Sequence, residues 1–187
     1  ALPISVFMHR LEILKGPASS SYGAGTGGAL IASSDSTSRE QLHVALTAGS
    51  YGLRQGDGQI SFSNGKIQNT VTLHHQRVDG YREQSEMERI FGSWQASLHQ
   101  SDKSSLSALL FYSDLKYQTP GGLTLAQYEA DPAQARPASG PFPSATEAQA
   151  AIRQRTVYAG LTQTFNPTDA LRFGVSLYGA FSRIENP

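Results

Sequence analysis

Hydrophobic and polar side chains alternate along most of the chain beyond residue 40. From Gln41 onward, seven segments carry apolar residues at every second position, which is the side-chain period of a β-strand. The most regular segment is the last, with apolar residues at Leu171, Phe173, Val175, Leu177 and Phe181. The pattern predicts seven strands, each with one apolar and one polar face.

The phase of the alternation assigns the residues of these segments to a face. The fifth segment is predicted to place Leu109, Phe111, Leu115 and Tyr117 on the apolar face, opposite Tyr112, Asp114 and Lys116. The other segments contribute apolar positions at Leu42, Val44, Leu46, Ala48, Ile60, Phe62, Ile67, Val71, Leu73, Ile90, Trp94, Ala96, Leu98, Val157, Ala159, Leu161 and Phe165. We expect His43, His74 and His99 on the polar face. His75 must then point away from His74, so the two cannot share a metal or haem.

The lengths of the segments and of their connections favour a membrane barrel. Segments of roughly 10 to 14 residues exceed the usual soluble strand and suit a tilted span of about 9–11 residues. Short turns, SNGK, QSDKSS and FNPTDA, follow the second, fourth and sixth segments. Longer connections, DGYREQSEME and the stretch from Gln118 to Ile152, follow the third and fifth. Outer-membrane barrels have this asymmetry, with their tight turns on the periplasmic side.

Two details qualify this picture. The first connection, GSYGL, is short on the side where long loops are expected, and the longest connection is rich enough in alanine for one or two short helices. Aromatic residues are expected near the strand ends on the long-loop side, at the level of the lipid headgroups. They are Tyr51, Tyr81, Phe91, Trp94 and Tyr117.

The composition argues against several classes of function. The chain has 15 basic and 15 acidic residues, so it lacks the basic surface that holds a nucleic-acid backbone. It has no cysteine, which excludes disulfides, thiolate metal sites and cysteine nucleophiles. No Ser/His/Asp grouping or carboxylate pair has a spacing that favours catalysis. The sequence therefore predicts no enzyme, no cofactor, no metal site and no nucleic-acid partner.

The start of the chain contains no export signal. The residues ALPISVFMHRLEILKG lack a basic start, an apolar core and a small-residue cleavage site, so they predict no signal peptide. We expect an exported form of the protein to carry further residues before them. The sequence also has no apolar run of about 18 residues, the length of a membrane-spanning helix, so a membrane role would depend on strands.

A glycine-rich motif precedes the alternating segments. Residues 10–31, RLEILKGPASSSYGAGTGGALI, resemble the end of the plug domain in TonB-dependent receptors, where I-E-V-L-K/R-G-P runs into Y-G-x-G-x-x-G-G-x-I. The matching positions include Lys15, Gly16, Pro17, Tyr22, Gly23, Gly25, Gly27 and Gly28. Glycine permits a positive φ or a close approach of the backbone to the barrel wall. Three of these glycines also fit G-x-G-x-x-G, but the flanking strand and helix of a dinucleotide-binding turn are not predicted.

The resemblance implies a mainly β fold. It would comprise about seven strands of a larger transmembrane antiparallel β-barrel, preceded by the C-terminal part of an α/β plug domain. Residues 1–39 would form the plug end and linker, and residues 40–187 the first barrel strands. Barrels of this family have about 22 strands, so seven cannot close one and the chain would belong to a longer polypeptide. The family's short energy-coupling box is absent from the sequence.

The resemblance also implies a function, namely energy-coupled import across the outer membrane of a Gram-negative bacterium. The partners would be TonB with its inner-membrane energising complex, an iron chelate such as a ferric siderophore or ferric citrate, and outer-membrane lipids including lipopolysaccharide. AGSYGLRQ resembles the opening hairpin of such barrels, and YQTPGGLTLAQYEADPAQARP resembles the third external loop of iron-complex receptors. A passive porin-like channel and a soluble β-rich binding module are the alternatives.

Polar residues near the predicted external ends are candidates for binding the chelate. Guanidinium groups suit carboxylate, phosphate or catecholate oxygens. The candidates are Arg77, Tyr81, Arg82, Tyr117, Gln118, Arg136 and Arg153. The arginines have two further interpretations: contact with lipopolysaccharide phosphates, or ion pairs with Glu83, Glu86 and Glu88.

Overall fold

The computed structural model of the chain describes residues 10–16, 27–33, 40–168 and 170–186. The chain divides into two units, Ala1–Thr37 and Ser38–Pro187. Among the described residues, no helix has both the length and the apolar character needed to cross a membrane.

The first unit contains a two-stranded antiparallel hairpin, formed by β1 (Arg10–Lys15) and β2 (Gly28–Ser33). Gly16, directly after β1, has a φ of 98°. Gly28 has a φ of 140°, and a Cβ there would lie 2.1 Å from the carbonyl oxygen of Leu14. The hairpin therefore requires glycine at both positions. Because a strand begins at Gly28 where a phosphate-binding helix would be needed, the dinucleotide interpretation is excluded.

Of the other residues of the glycine-rich motif, two are less constrained and four are outside the described part of the chain. Lys15 is exposed at the end of β1, and Gly27 has open space where a Cβ would be. Pro17, Tyr22, Gly23 and Gly25 lie outside the described residues.

The second unit is a seven-stranded antiparallel sheet in which each strand pairs with its neighbour in the chain. Its strands are β3 (Gln41–Ala48), β4 (Arg54–Asn64), β5 (Ile67–Val78), β6 (Met87–Ser101), β7 (Ser104–Gln118), β8 (Ala151–Thr168) and β9 (Leu171–Glu185). The sheet confirms the seven strands that the alternation predicts.

The connections alternate in length, as predicted. Two-residue connections at 65–66, 102–103 and 169–170 lie at the turn end of the sheet. The loop end carries loop L1 (49–53), loop L2 (79–86) and loop L3 (119–150). One short helix, α1 (Leu125–Ala130), lies in L3 and begins with a capping box between Thr124 and Gln127, which satisfies backbone N–H groups of its first turn.

The register places most large apolar side chains of the sheet on one face, here called the apolar face. One row of paired residues across it runs through Leu42, Ile60, Val71, Trp94, Leu110 and Ala159. Many of these side chains are exposed; Leu46, Val175, Leu177 and Phe181 are between 71% and 85% exposed. The apolar face is therefore an uncovered surface.

The opposite face, here called the polar face, is held together by hydroxyl and amide groups. Cross-strand side-chain hydrogen bonds join Ser61 to Thr70, Gln59 to Thr72, Thr156 to Ser182 and Thr162 to Ser176. Within the described part of the chain, the buried apolar residues are three alanines, Ala135, Ala145 and Ala151. Apart from Ala151 at the start of β8, the buried positions of the described sheet are polar: Asp57, Ser61, Thr72 and His74. The sheet does not fold its apolar residues into a dry core.

The face prediction for the fifth segment is wrong. Strand β7 places Leu106, Ala108, Leu110 and Tyr112 on the apolar face, because they pair with apolar-face residues of β6 and β8. Leu109, Phe111, Leu115 and Tyr117 lie on the polar face. The run Leu109 to Phe111 is apolar at consecutive positions, so it carries no phase, and a shift of one residue reverses every side chain.

The predicted position of two aromatic residues is also wrong. Trp94 lies on the apolar face in the middle of β6, seven residues from either end of the strand Met87–Ser101. Phe91 lies on the polar face, opposite His74. The sequence pattern placed them near the strand end because it did not reveal how far β6, from Met87 to Ser101, extends beyond its apolar part.

Candidate functional site

The loop end of the sheet brings together three loops that are distant in sequence. Loops L1 and L2 meet at Tyr51, whose φ of 58° is unusual for a residue other than glycine. Its carbonyl accepts a hydrogen bond from the Asp79 N–H at 2.9 Å. Its ring contacts the ring of Tyr81 edge to face, with centroids 5.5 Å apart. These contacts fix the position of Tyr81 at the edge of L2.

Arg82 joins loop L2 to loop L3. Its Nε and Nη2 donate to the Gln134 carbonyl at 3.1 and 2.9 Å, and its Nη1 donates to the Gly121 carbonyl at 2.9 Å. Beside it, the Glu83 N–H donates to the Ala133 carbonyl at 2.8 Å. Hydrogen bonds from a charged donor are stronger than neutral ones. Arg82 therefore acts as a latch between the two loops.

The base of the two loops is held by Gln118 at the end of β7. Its N–H donates to the Glu86 carbonyl at 2.8 Å, and its side-chain oxygen accepts from the Glu86 N–H at 3.1 Å. The side chain of Gln84 donates to the Ala150 carbonyl at 3.2 Å. L2 thus contacts both the beginning and the end of L3.

Arg136 organises the interior of L3. Its N–H donates to the Pro120 carbonyl at 2.7 Å, and its Nη2 donates to the Pro143 carbonyl at 2.8 Å. A Cβ on Gly121, whose φ is 73°, would lie 2.8 Å from the Cβ of Arg136. The long loop is consequently a folded structure with its own backbone contacts.

A groove of about 510 Å³ lies between L2 and α1. Its lining residues are Tyr81, Arg82, Leu123, Thr124, Leu125, Tyr128 and Pro132. Tyr81, Tyr128 and Leu125 are between 52% and 72% exposed. Apolar and aromatic walls with a few polar groups are typical of small-molecule sites. This groove is the candidate ligand site.

The seven predicted ligand contacts do not lie in one cluster. Tyr81 and Arg82 line the groove. Arg82 and Arg136 both donate guanidinium N–H groups to carbonyls of the loops. Arg153 forms two hydrogen bonds to Asp114, at 3.0 and 2.6 Å, on the apolar-face side of the sheet. The ligand-contact prediction remains a prediction for all seven.

The remaining three predicted contacts have defined positions. Arg77, also on the apolar-face side, forms an ion pair with Glu86, which is one of the interpretations open from the sequence. Tyr117 lies on the polar face near the end of β7. Gln118 ties L2 to L3 as described above.

Tyr128 and Leu125 were missed by the sequence interpretation. Both project from α1 three residues apart, a spacing that places them on one side of a helix. The capping box Thr124 to Gln127 is a sequence signal for that helix. It would have identified the pair.

The polar face carries a buried pair of one histidine and one aspartate. His74 Nδ1 lies 2.6 Å from Asp57 Oδ1, and both side chains are 2% exposed. Gln55 donates a further hydrogen bond to Asp57 at 2.7 Å. His75 points to the apolar face and lies 3.2 Å from Glu88, so the two histidines diverge as predicted. Among the described residues, no three His, Asp or Glu side chains lie close enough to hold a metal ion.

Four aromatic rings form a row across β6 to β9 on the polar face. Phe91 contacts Phe111, Phe111 stacks on Tyr158 with centroids 5.1 Å apart, and Tyr158 stacks on Tyr178. A Cβ on Gly160 would lie 3.0 Å from the Tyr158 hydroxyl oxygen. Glycine at this position leaves room for the Tyr158 ring to lie along the strand.

Solved structures resemble the chain in fold. No protein-family model matches the sequence. The siderophore receptor PiuA from Acinetobacter baumannii superposes with a TM-score of 0.76 and 16% identity, over 96% of this chain and 26% of that protein. The ferric-catecholate import receptor Fiu from E. coli K12, in its open form, gives 0.71 and 15%, over 97% and 29%.

The ferric citrate transporter FecA, in its unliganded form, gives a TM-score of 0.61 and 18% identity, over 76% of this chain and 21% of that protein. The chain therefore spans about a quarter of the length of these proteins. All three are receptors or transporters. The mainly antiparallel β fold of this chain is the fold of a segment of these proteins, and the resemblance stated from the sequence is confirmed at the level of fold.

Proposed function

We propose that the chain is the plug end (1–39) and the first seven barrel strands (40–187) of an outer-membrane receptor that imports an iron chelate with energy supplied through TonB. The observation that carries this proposal is the sheet itself: most of its large apolar side chains lie on one uncovered face, while the opposite face carries the hydroxyl, amide and buried His–Asp groups together with a row of aromatic rings. A sheet of this kind suits a wall between hydrocarbon and an aqueous lumen. The apolar face would contact outer-membrane lipids.

The groove between L2 and α1 is the proposed first binding site of the chelate. Tyr81 is held by Tyr51, and the loops around the groove are joined by Arg82. A preformed site loses less conformational entropy on binding than a mobile one. The fold likeness to receptors and transporters of ferric siderophores and ferric citrate supports a ligand of that kind.

The proposal is tested by uptake of radiolabelled iron in a strain that lacks the full-length protein and is complemented with its gene. Ferric citrate, a ferric catecholate and a ferric hydroxamate are supplied separately, with and without TonB. We expect uptake of at least one chelate, and its loss when TonB is absent. Uptake that persists without TonB would instead favour the passive channel, and recovery of the protein in the soluble fraction would favour the soluble module.

The groove is tested with Tyr81→Ala and Tyr128→Ala, and Phe142→Ala is the matched control. Phe142 is an aromatic residue of L3, the loop that also contains Tyr128; it is 67% exposed and does not line the groove. Removing an aromatic binding contact should raise the half-saturating chelate concentration roughly tenfold. An equal effect of all three substitutions would show that the groove has no special role in binding.

A further inference from the structure

The three loops at the loop end of the sheet carry more acidic than basic side chains. L1, L2 and L3 together contain six acidic residues and two basic residues. The acidic residues are Asp79, Glu83, Glu86, Glu129, Asp131 and Glu147, and the basic residues are Arg82 and Arg136. Charges act over about 10 Å at moderate salt concentration. A ligand that approaches these loops therefore meets an excess of negative charge.

Two of the six carboxylates are paired with a cation of the sheet. Arg77, at the end of β5, forms an ion pair with Glu86, and its Nε lies 4.0 Å from Asp79 Oδ1. In the part of the chain that the structure describes, the other four carboxylates have no ion pair, and all four are exposed. They are Glu83, Glu129, Asp131 and Glu147.

Three of these four carboxylates flank the groove between L2 and α1. Glu83, Glu129 and Asp131 are each directly adjacent in sequence to a residue that lines the groove. Arg82 supplies the positive charge of the lining, and each nitrogen of its guanidinium group already donates to a carbonyl of L3. An anionic ligand would thus meet three carboxylates and one arginine that is already engaged.

The sheet beneath the loops does not reverse this charge. Six basic residues in the loop-end half of the strands occupy apolar-face positions and so lie on the side away from the polar face: Arg54, Arg77, Lys116, Arg153, Arg155 and Arg183. On the polar face, Arg89 lies between Gln76 and Leu115, and the same face carries the carboxylate of Asp57. In the described strands, the loop-end half of the polar face therefore has no excess of lysine and arginine over carboxylates.

The walls of the groove suit an uncharged or cationic ligand. Tyr81 and Tyr128 present exposed aromatic rings, and Leu125 adds an exposed apolar side chain. The face of an aromatic ring is the negative part of its quadrupole, so it attracts cations and packs against apolar groups. The walls and the surrounding carboxylates therefore favour the same class of ligand.

We infer that the groove receives an uncharged or cationic iron chelate of the trihydroxamate class and selects against ferric citrate and ferric tricatecholates. Three hydroxamate groups cancel the charge of Fe³⁺, whereas three doubly ionised catecholates leave a trianion, and ferric citrate carries ionised carboxylates. Each negative charge on a chelate raises the cost of its approach to Glu83, Glu129 and Asp131. This inference rests on the proposed function of the groove as the first binding site and narrows its ligand.

The test measures chelate binding by the purified full-length protein in detergent, from the quenching of its intrinsic fluorescence. The probes are ferrichrome, an uncharged trihydroxamate; ferrioxamine B, a cationic trihydroxamate; ferric enterobactin, a trianionic tricatecholate; and ferric citrate. We expect the better trihydroxamate to bind at least roughly tenfold more tightly than either anion. Added salt should leave the affinity for ferrichrome unchanged and strengthen the binding of both anions, because it screens the repulsion.

A charge reversal at Glu129 examines the cause of this preference. The Glu129 side chain is exposed and has no hydrogen-bond or ion-pair partner among the described residues. Glu129→Lys should tighten the binding of ferric enterobactin roughly three- to tenfold at low salt and leave ferrichrome binding unchanged. The matched control is Asp102→Lys, an equal change of charge in the connection 102–103 at the turn end of the sheet. The control should bind all four chelates like the parent.

Three results would overturn the inference: both trihydroxamates bind more weakly than either anion or not at all, added salt weakens the binding of the anions, or Glu129→Lys leaves the affinity for ferric enterobactin unchanged. TonB-dependent uptake of ferric citrate but of no trihydroxamate would uphold the proposed function and contradict this inference. Uptake that persists without TonB would contradict the proposed function, whereas the binding preference of the purified protein would stand.

Discussion

The two faces of the seven-stranded sheet differ in what they bury: the apolar face leaves its large side chains exposed, whereas the polar face buries a His–Asp pair between its inner strands. On the apolar face Leu177 and Phe181 are 74% and 73% exposed, whereas on the polar face Asp57 and His74 are 5% and 4% exposed. A water-soluble domain would bury the first pair and expose the second. The phase of the alternation therefore decides the environment of each side chain, and the apolar face needs an apolar partner.

The largest expected effect comes from a charge placed on the apolar face, and the same charge at the adjacent polar-face position is its control. Leu177→Arg lies at the centre of the apolar band and should destabilise the full-length protein in a bilayer by about 2–4 kcal/mol. Ser176→Arg, on the polar face, should have little effect. Urea unfolding followed by heat-modifiable gel mobility measures both. Equal sensitivity of the two positions would remove the distinction between the faces.

The next comparison uses the two adjacent histidines. His74→Ala leaves the buried Asp57 carboxylate without its His74 contact and should cost about 1–3 kcal/mol. His75→Ala removes a pair that is about half exposed, and such pairs contribute about 1 kcal/mol or less. The same unfolding assay gives both values. A larger cost for His75→Ala would contradict the assignment of the buried pair to the polar face.

A smaller effect is expected from two strand glycines. On the polar face, Gly160→Ala would push a methyl group towards the Tyr158 hydroxyl, 3.0 Å from the new Cβ, and should destabilise by about 1 kcal/mol or less. On the apolar face, Gly58 has open space at its Cβ position. Gly58→Ala should be neutral or stabilising by about 0.5–1 kcal/mol, because alanine loses less backbone entropy on folding. A larger destabilisation by Gly58→Ala than by Gly160→Ala would show that the aromatic row does not constrain β8.

The smallest effect lies outside both faces, in L3. Hydrogen bonds from the Ser144 N–H and hydroxyl hold the pKa of Glu147 below its ordinary value. A depressed carboxyl pKa stabilises the fold above the unfolded pKa, and this stabilisation is lost as pH falls through the folded pKa. We therefore expect the protection factors of the Ala148 and Gln149 amides, corrected for the intrinsic pH dependence of exchange, to fall on acidification. Ser144→Ala should lower these protection factors already at neutral pH and should make them respond less to acidification.

The sequence predicted most of the sheet because alternation is local information. Strand β9 has a clear phase from Leu171 to Phe181, and short polar turns mark where one strand ends and the next begins. The phase of β7 could not be read from Leu109 to Phe111, since pairing with Trp94 and Ala159 decides which of these side chains faces which side. Cross-strand register is long-range information that a single strand does not contain.

The candidate site was less accessible to sequence reasoning for the same reason. Arg82 and Gln134 are 52 residues apart, and their hydrogen bond assigns Arg82 a structural role that its chemistry alone does not reveal. An arginine near a loop is equally suited to a ligand, a lipid phosphate or a carbonyl. Tyr128 was overlooked because its helix is only six residues long. The contacts between the loops could therefore be established only from the structure.

Site-directed labelling of β9 tests the central claim most directly. The chain contains no cysteine, so single cysteines at positions 171–182 are introduced into a cysteine-free form of the full-length protein in lipid bilayers. A fluorophore at odd positions should be quenched by a lipid-soluble nitroxide, and one at even positions by a water-soluble quencher. Quenching without this alternation, or protection of the odd positions from both quenchers, would contradict the account.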